Sequence, residues 1–182
     1  MKQNKWVNFF LGDIKAASIM FREEMYNHAC FHAHQAAEKA LKGFLEENKV
    51  NPPKEHDLID LTKRCQKIDN YFSNILSKVD FLNQFYIPSR YPTAFIGSTS
   101  TGMPSKNQAE KALGYAKEIT DFCLDAIRQK AAEKEEKKEG HAENRQDKNN
   151  DIDWIEDIRR KIAENENKPR PKMNEQDRGF DR

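Results

Sequence analysis

An all-α protein, an up-and-down bundle of four to five helices with a disordered C-terminal tail, follows from three observations. Apolar residues recur at three- and four-residue spacing over long stretches, and the alternation of a half-buried strand is missing. Only seven Gly and seven Pro interrupt 182 residues, as a chain of long helices requires. Large apolar side chains nearly all precede Arg128, and after it the chain turns polar and charged. The expected division is a helical bundle over residues 1–130 and a charged, mostly disordered tail over residues 131–182.

The first helix is expected from about Lys5 to Glu24, with Trp6, Phe9, Phe10, Asp13, Ala16, Ala17, Met20 and Phe21 giving its period. Tyr26 and Asn27 break that pattern, and Asn27 suits the cap of the next helix. The second helix, residues 28–47, organises the chain. At about 100° per residue, Ala29, Ala33, Ala36, Ala37, Ala40 and Phe44 share one face, where alanines let a neighbouring helix approach closely. His28, His32, Gln35, Lys39, Lys42 and Glu46 share the opposite face. A polar face of this kind is either solvated or a site. Asn51-Pro52-Pro53 prevents continuation.

Asp57 caps a third helix with Leu58, Ile59, Leu61, Cys65 and Ile68 as its apolar positions. His56, just before that cap, is either a turn residue bonding local backbone or a donor beside a helix N-terminus that favours anions. A fourth helix is expected over about residues 71–86, ended by Pro88 and Pro92, which enclose Ser89-Arg90-Tyr91. The Gly/Ser/Thr-rich loop that follows lacks the Gly-Lys-Ser/Thr ending and the preceding strand of a phosphate-cradling loop. Ser105 and Gln108 form a capping box that opens the fifth helix. Its stripe runs from Ala109 to Ile127, and from Lys130 to Glu139 only pairs such as Glu133–Lys137 support it, so it is expected to fray into solvent. In the tail, Asp153 caps a short amphipathic helix at about residues 153–164. Trp154, Ile155, Ile158 and Ile162 line one side of it as a partner-binding surface.

Composition narrows the function. Lys plus Arg is 31 against 30 acids, so no global basic field marks a nucleic-acid binder and any such role needs a local patch. Cys30, Cys65 and Cys123 each sit within a helical pattern and read as buried thiols. No secretory signal or membrane-length apolar segment is evident, which places the protein in the cytoplasm. His28 and His32 have the spacing of a shared metal site, but no third ligand accompanies them and no metal is expected. Nothing marks an activated nucleophile or a carboxylate pair, and no catalytic residue or cofactor is assigned. What remains is a cationic–aromatic set, Lys39, Lys42, His56, Tyr86, Arg90 and Tyr91, of the residue types that hold phosphate and stack on bases.

His34-Gln35-Ala36-Ala37-Glu38-Lys39-Ala40-Leu41-Lys42 is very similar to the signature helix of HEPN domains, the "higher eukaryotes and prokaryotes nucleotide-binding" family. Lys54-x-His56-Asp57-Leu58 and Tyr86-Ile87-Pro88-Ser89-Arg90-Tyr91-Pro92 resemble later phrases of that family in order and spacing, and the resemblance spans about residues 5–130. It implies a four- or five-helix bundle, usually a homodimer, often partnered by a nucleotidyltransferase in a toxin–antitoxin-like or regulatory pair, with nucleotide or RNA as ligand. Many HEPN domains are metal-independent ribonucleases carrying Arg-x(4–6)-His. Here no histidine follows Arg90 in that window, and Arg22-x5-His28 has the spacing at the junction of the first two helices, the wrong part of the fold. The expected function is therefore a non-catalytic nucleotide- or RNA-binding module. The alternatives are a divergent ribonuclease, in which His56 or His28 replaces the missing histidine, and a purely structural dimerisation module.

Overall fold

The computed structural model describes residues 4–86, 103–139 and 160, and the regular elements among them are all helices, with no strand. The helices are α1 (Lys5–Arg22), α2 (Tyr26–Glu47), α3 (Leu58–Gln66), α4 (Leu76–Asn83) and α5 (Lys106–Glu139). A 3-10 helix, Asn70–Ile75, leads into α4. The single fourth helix expected over residues 71–86 is thus two shorter pieces.

The central element is α2, which packs against α1, α3, α4 and α5. Its five alanines at 29, 33, 36, 37 and 40 are fully buried. Those of α5 at 109, 112 and 116 are buried too, so small residues on both helices permit close approach. Phe44 of α2 lies 4.4 Å from Phe72, which meets Phe122 of α5 edge-on at 4.9 Å. Cys30, Cys65 and Cys123 are free and buried, as expected of thiols acting as small hydrophobes.

The N-terminus of α1 is clamped to the C-terminal end of α2. Asn4 accepts from the Trp6 N–H as N-cap and donates to the Gly43 carbonyl at 3.0 Å and to Glu47 Oε2. Trp6 Nε1 donates to Glu46 at 2.6 Å. A Cβ at Gly43 would stand 3.0 Å from Trp6 Cβ, so glycine sets how closely the helices cross here. Hence α1 is antiparallel to α2. Helix α5 runs the same way as α2: Ile127 is beside Gly43, and Lys134 Nζ reaches the Glu47 carbonyl and, at 2.6 Å, its carboxylate. Far from fraying at Lys130, α5 stays helical to Glu139 and is tied to α2 by Lys134.

Both turns around α2 use the same device. Met25 N–H donates to the Met20 carbonyl and Glu24 N–H to Phe21; Val50 N–H donates to Leu45 and Lys49 N–H to Glu46. These are Schellman motifs, with Glu24 (φ 61°) and Lys49 (φ 63°) in the left-handed position usually held by glycine. Closing α1 so tightly lets α2 begin at Tyr26, with Met25 as N-cap, and Asn27 falls inside the helix and not at its cap. On α1 the buried residues are Val7, Phe10, Leu11, Asp13, Ile14, Ala17 and Ser18, whereas Phe9 is 61% exposed. The buried arc is thus turned toward Val7, Leu11 and Ile14.

Candidate functional site

The polar face of α2 is solvated only in part: His28 is exposed, but the face becomes more enclosed toward Lys42. Glu38 and Lys42, one helical turn apart, are both buried, and Lys42 Nζ donates to Glu38 Oε1 at 2.9 Å. Burial leaves a carboxylate and an ammonium few choices but each other. Gln35 Nε2 donates to Glu38 Oε2 at 3.4 Å. His56, from the loop ahead of α3, brings Nδ1 to within 3.0 and 3.1 Å of the two Glu38 oxygens.

The His56 ring is stacked on Tyr86, with centroids 5.0 Å apart and planes 16° from parallel. Tyr86 also lies 5.2 Å from the ring of His34, a fully buried α2 residue. The His56 side chain remains 47% exposed, whereas Glu38 is 6% exposed. One end of the imidazole is therefore fixed by a buried carboxylate and one face by an aromatic plane, while the rest meets solvent.

The loop before α3 holds this geometry. Asp57 accepts the Asp60 N–H at 2.9 Å as N-cap, as its position ahead of an apolar run predicts. Asn83, at the end of α4, accepts from the Leu58 N–H at 2.9 Å and donates to Asp57. Slight burial works against charge on Asp57. The N–H groups of Asp60 and Ile59, the Asn83 amide and nearby Lys63 together outweigh it, and the carboxyl lies below its ordinary range.

A second cluster repeats the first on the α1 side. Asp13, almost buried in the apolar face of α1, accepts from Lys39 Nζ and lies 3.0 Å from His32 Nδ1. Each carboxylate thus holds one lysine and one histidine. Chemically, each cluster is neutral while its histidine is neutral and carries one positive charge when the ring is protonated.

Of the residues singled out in the sequence, the structure brings His56 and Tyr86 into contact and joins Lys42 to them through Glu38. Lys39 belongs to the Asp13 cluster. Arg90 and Tyr91 lie outside the described residues, as do Trp154, Ile155, Ile158 and Ile162 of the tail. Sequence reasoning missed Glu38 and Asp13, the two acids at the centres of the clusters. The spacing Glu38–Lys42 was a legible signal, and so was a lone aspartate within the apolar stripe of α1.

Among the described residues, no helix is long and apolar enough to cross a membrane. No curated protein matches the chain. Two solved structures share its fold. "Crystal Structure of ST0689, an archaeal HEPN homologue" is 26% identical, with a TM-score of 0.56, covering 70% of this chain and 99% of that one. TT1696 from Thermus thermophilus is 27% identical, with a TM-score of 0.61, covering 69% of this chain and 99% of that one. The family model described as the HEPN domain matches residues 5–134, and the chain belongs to the HEPN domain family.

Proposed function

We propose that this chain is a non-catalytic HEPN module that binds a nucleotide or RNA at the His56–Tyr86 corner. It acts as a cytoplasmic homodimer beside a nucleotidyltransferase, in a toxin–antitoxin-like or regulatory pair. The observation that carries the reading is the His56 side chain itself. Half-exposed, stacked on Tyr86 and fixed through Nδ1 to Glu38, it offers a base or phosphate a ring face and a nitrogen at small entropic cost. Lys42 stands behind it through Glu38, Lys39 lies further along α2, and the chain continues from Tyr86 toward Arg90 and Tyr91. Arg90 supplies the fork for phosphate in this reading.

Calorimetric titration of the full chain with ATP, GTP and a short RNA tests it. Binding is expected, and His56→Ala or Arg90→Ala should weaken it about tenfold or more, the worth of one charge-assisted phosphate contact. Binding left unchanged by both substitutions would move the site elsewhere. Sedimentation of the full chain at micromolar concentration should show a dimer. Deleting residues 140–182 should weaken capture of a partner protein through Trp154, Ile155, Ile158 and Ile162 while leaving the melting temperature nearly unchanged.

The ribonuclease alternative keeps one specific support, since an imidazole oriented by a buried carboxylate is also how a general base is held. RNA cleavage by the purified chain that is lost in His56→Ala and in Arg90→Ala would replace the binding reading with that one.

A further inference from the structure

The cations of α2 raise a difficulty for any anion that approaches them. Lys42 is bonded to Glu38 and Lys39 to Asp13, and each carboxylate is more buried than the nearest histidine of its cluster. A phosphate drawn to either ammonium meets the paired carboxylate a few ångströms further on, so the attraction is largely cancelled. Neither lysine supplies net charge to a ligand.

Among the described residues in contact with Glu38 or Tyr86, the solvent-exposed group able to add charge is His56. We infer that it binds the ligand as an imidazolium, so that the corner takes up a proton with its ligand and selects a terminal phosphate over an internal phosphodiester. This rests on the nucleotide-binding reading and specifies the chemical class of its ligand. With Nδ1 held 3.0 and 3.1 Å from the Glu38 oxygens, the ring donates from that nitrogen in either protonation state. Protonation therefore occurs at Nε2, turning it from an acceptor into a donor, with no change in the Glu38 contact.

The charged groups around the ring fit such a proton. From α2, Glu38 favours it and Lys42, bonded to Glu38, opposes it. Tyr86 meets one face of the ring. Along its own loop, Glu55 is paired with Arg64 at 3.9 Å, Asp57 is engaged in capping α3, and Lys54 is an exposed cation.

Selection follows from charge. A terminal phosphate carries close to two negative charges at neutral pH and an internal diester carries one. The imidazolium accordingly attracts the terminal group about twice as strongly, and the protonated state is correspondingly more populated in the complex.

The test is calorimetry of the full chain with AMP, adenosine, inorganic phosphate and the unphosphorylated dinucleotide ApA. Each is titrated in buffers of different ionisation enthalpy, which reports the protons exchanged on binding. AMP should bind more tightly than adenosine or ApA, and the wild type should take up more protons per AMP than His56→Gln does. His56→Gln should lose about tenfold or more in affinity, while His32→Gln, in the other cluster, should behave as the wild type. Above about pH 7, where the AMP phosphate is already a dianion, its affinity should fall with rising pH by at most about tenfold per unit, the limit for one linked proton. Because His56 is half-exposed, the glutamine variant is expected to fold, which its melting curve verifies.

Equal proton uptake by wild type and His56→Gln, or ApA binding as tightly as AMP, overturns this inference and leaves nucleotide binding standing. Inorganic phosphate binding as tightly as AMP would keep the terminal-phosphate selection and remove the nucleoside from the ligand. Failure of AMP, phosphate, ATP and RNA alike to bind the wild type removes both the inference and the function it rests on.

Discussion

Replacing Glu38 by leucine should be among the most damaging single changes in the bundle, for a reason that can be separated from simple loss of a contact. The substitution leaves the Lys42 ammonium, on a side chain 8% exposed, without the carboxylate 2.9 Å away. Removing one partner of a buried pair costs about 3–5 kcal/mol because the other charge stays buried. For a bundle of this size each kcal/mol moves the melting temperature by about 3–5 °C, so a fall of about 9–25 °C is expected. Lys42→Met should cost less, about 1–3 kcal/mol, because Glu38 keeps Gln35 and His56, and His56 can carry a positive charge beside it. The double substitution Glu38→Leu/Lys42→Met removes both charges and should return to within about 1 kcal/mol of the wild type. Urea unfolding followed by far-UV circular dichroism gives the four stabilities and the coupling energy between the sites. If the single changes each cost under about 1 kcal/mol, or if their effects simply add in the double variant, the pair is hydrated and the reasoning fails.

Three further outcomes can be measured on the same preparation. Lys49→Gly and Glu24→Gly, which relieve side chains held at φ 63° and 61°, should each raise stability by about 0.5–1 kcal/mol in urea titrations. Asp57→Ala should cost about 1 kcal/mol at pH 7 as a lost cap. Because the folded carboxyl titrates below its ordinary 3.8, that stability is present above this value and disappears as pH falls through the folded one, so wild type and variant should converge in strong acid. Burial pushes the Cys30 thiol up to about 12 and those of Cys65 and Cys123 well above the usual range, so Ellman's reagent should leave all three untouched until urea unfolds the chain.

The fold was largely legible in the sequence because long helical periods and side-chain caps are local signals. Asp57 and the Ser105–Gln108 box sit where their side chains mark helix starts, and Gln108 N–H donates to Ser105 Oγ while Ser105 N–H donates to Gln108. Misplaced boundaries trace to conformations that leave no such mark. A left-handed Glu24 or Lys49 is indistinguishable by letter from the same residue within a helix, so the turn before α2 was placed at Asn27, two residues beyond its N-cap Met25. The periodicity of α1 puts Phe9 on its inner face and omits Leu11; the arc is broad, and packing reverses the two, burying Leu11 and leaving Phe9 exposed.

The site was less legible than the fold. His56 and Tyr86 were visible as residue types, but their stacking depends on where α3 and α4 dock. Glu38 is one acid among 30 acids in the chain, and only burial shows that it organises Lys42, Gln35 and His56.

The tie between Lys134 and Glu47 joins residues 87 apart in sequence, and it bears on how the chain tolerates insertions. The entropic cost of closing a connection grows only as the logarithm of its length. Tyr86 and Met103 are separated by 16 residues, and adding ten more would cost about 0.4 kcal/mol on that scaling. Natural or engineered segments can therefore be accommodated between α4 and α5, the stretch that directly follows Tyr86, without loosening α5 from α2. The bundle can in this way acquire a new recognition loop beside His56 while its helical frame is left as it is.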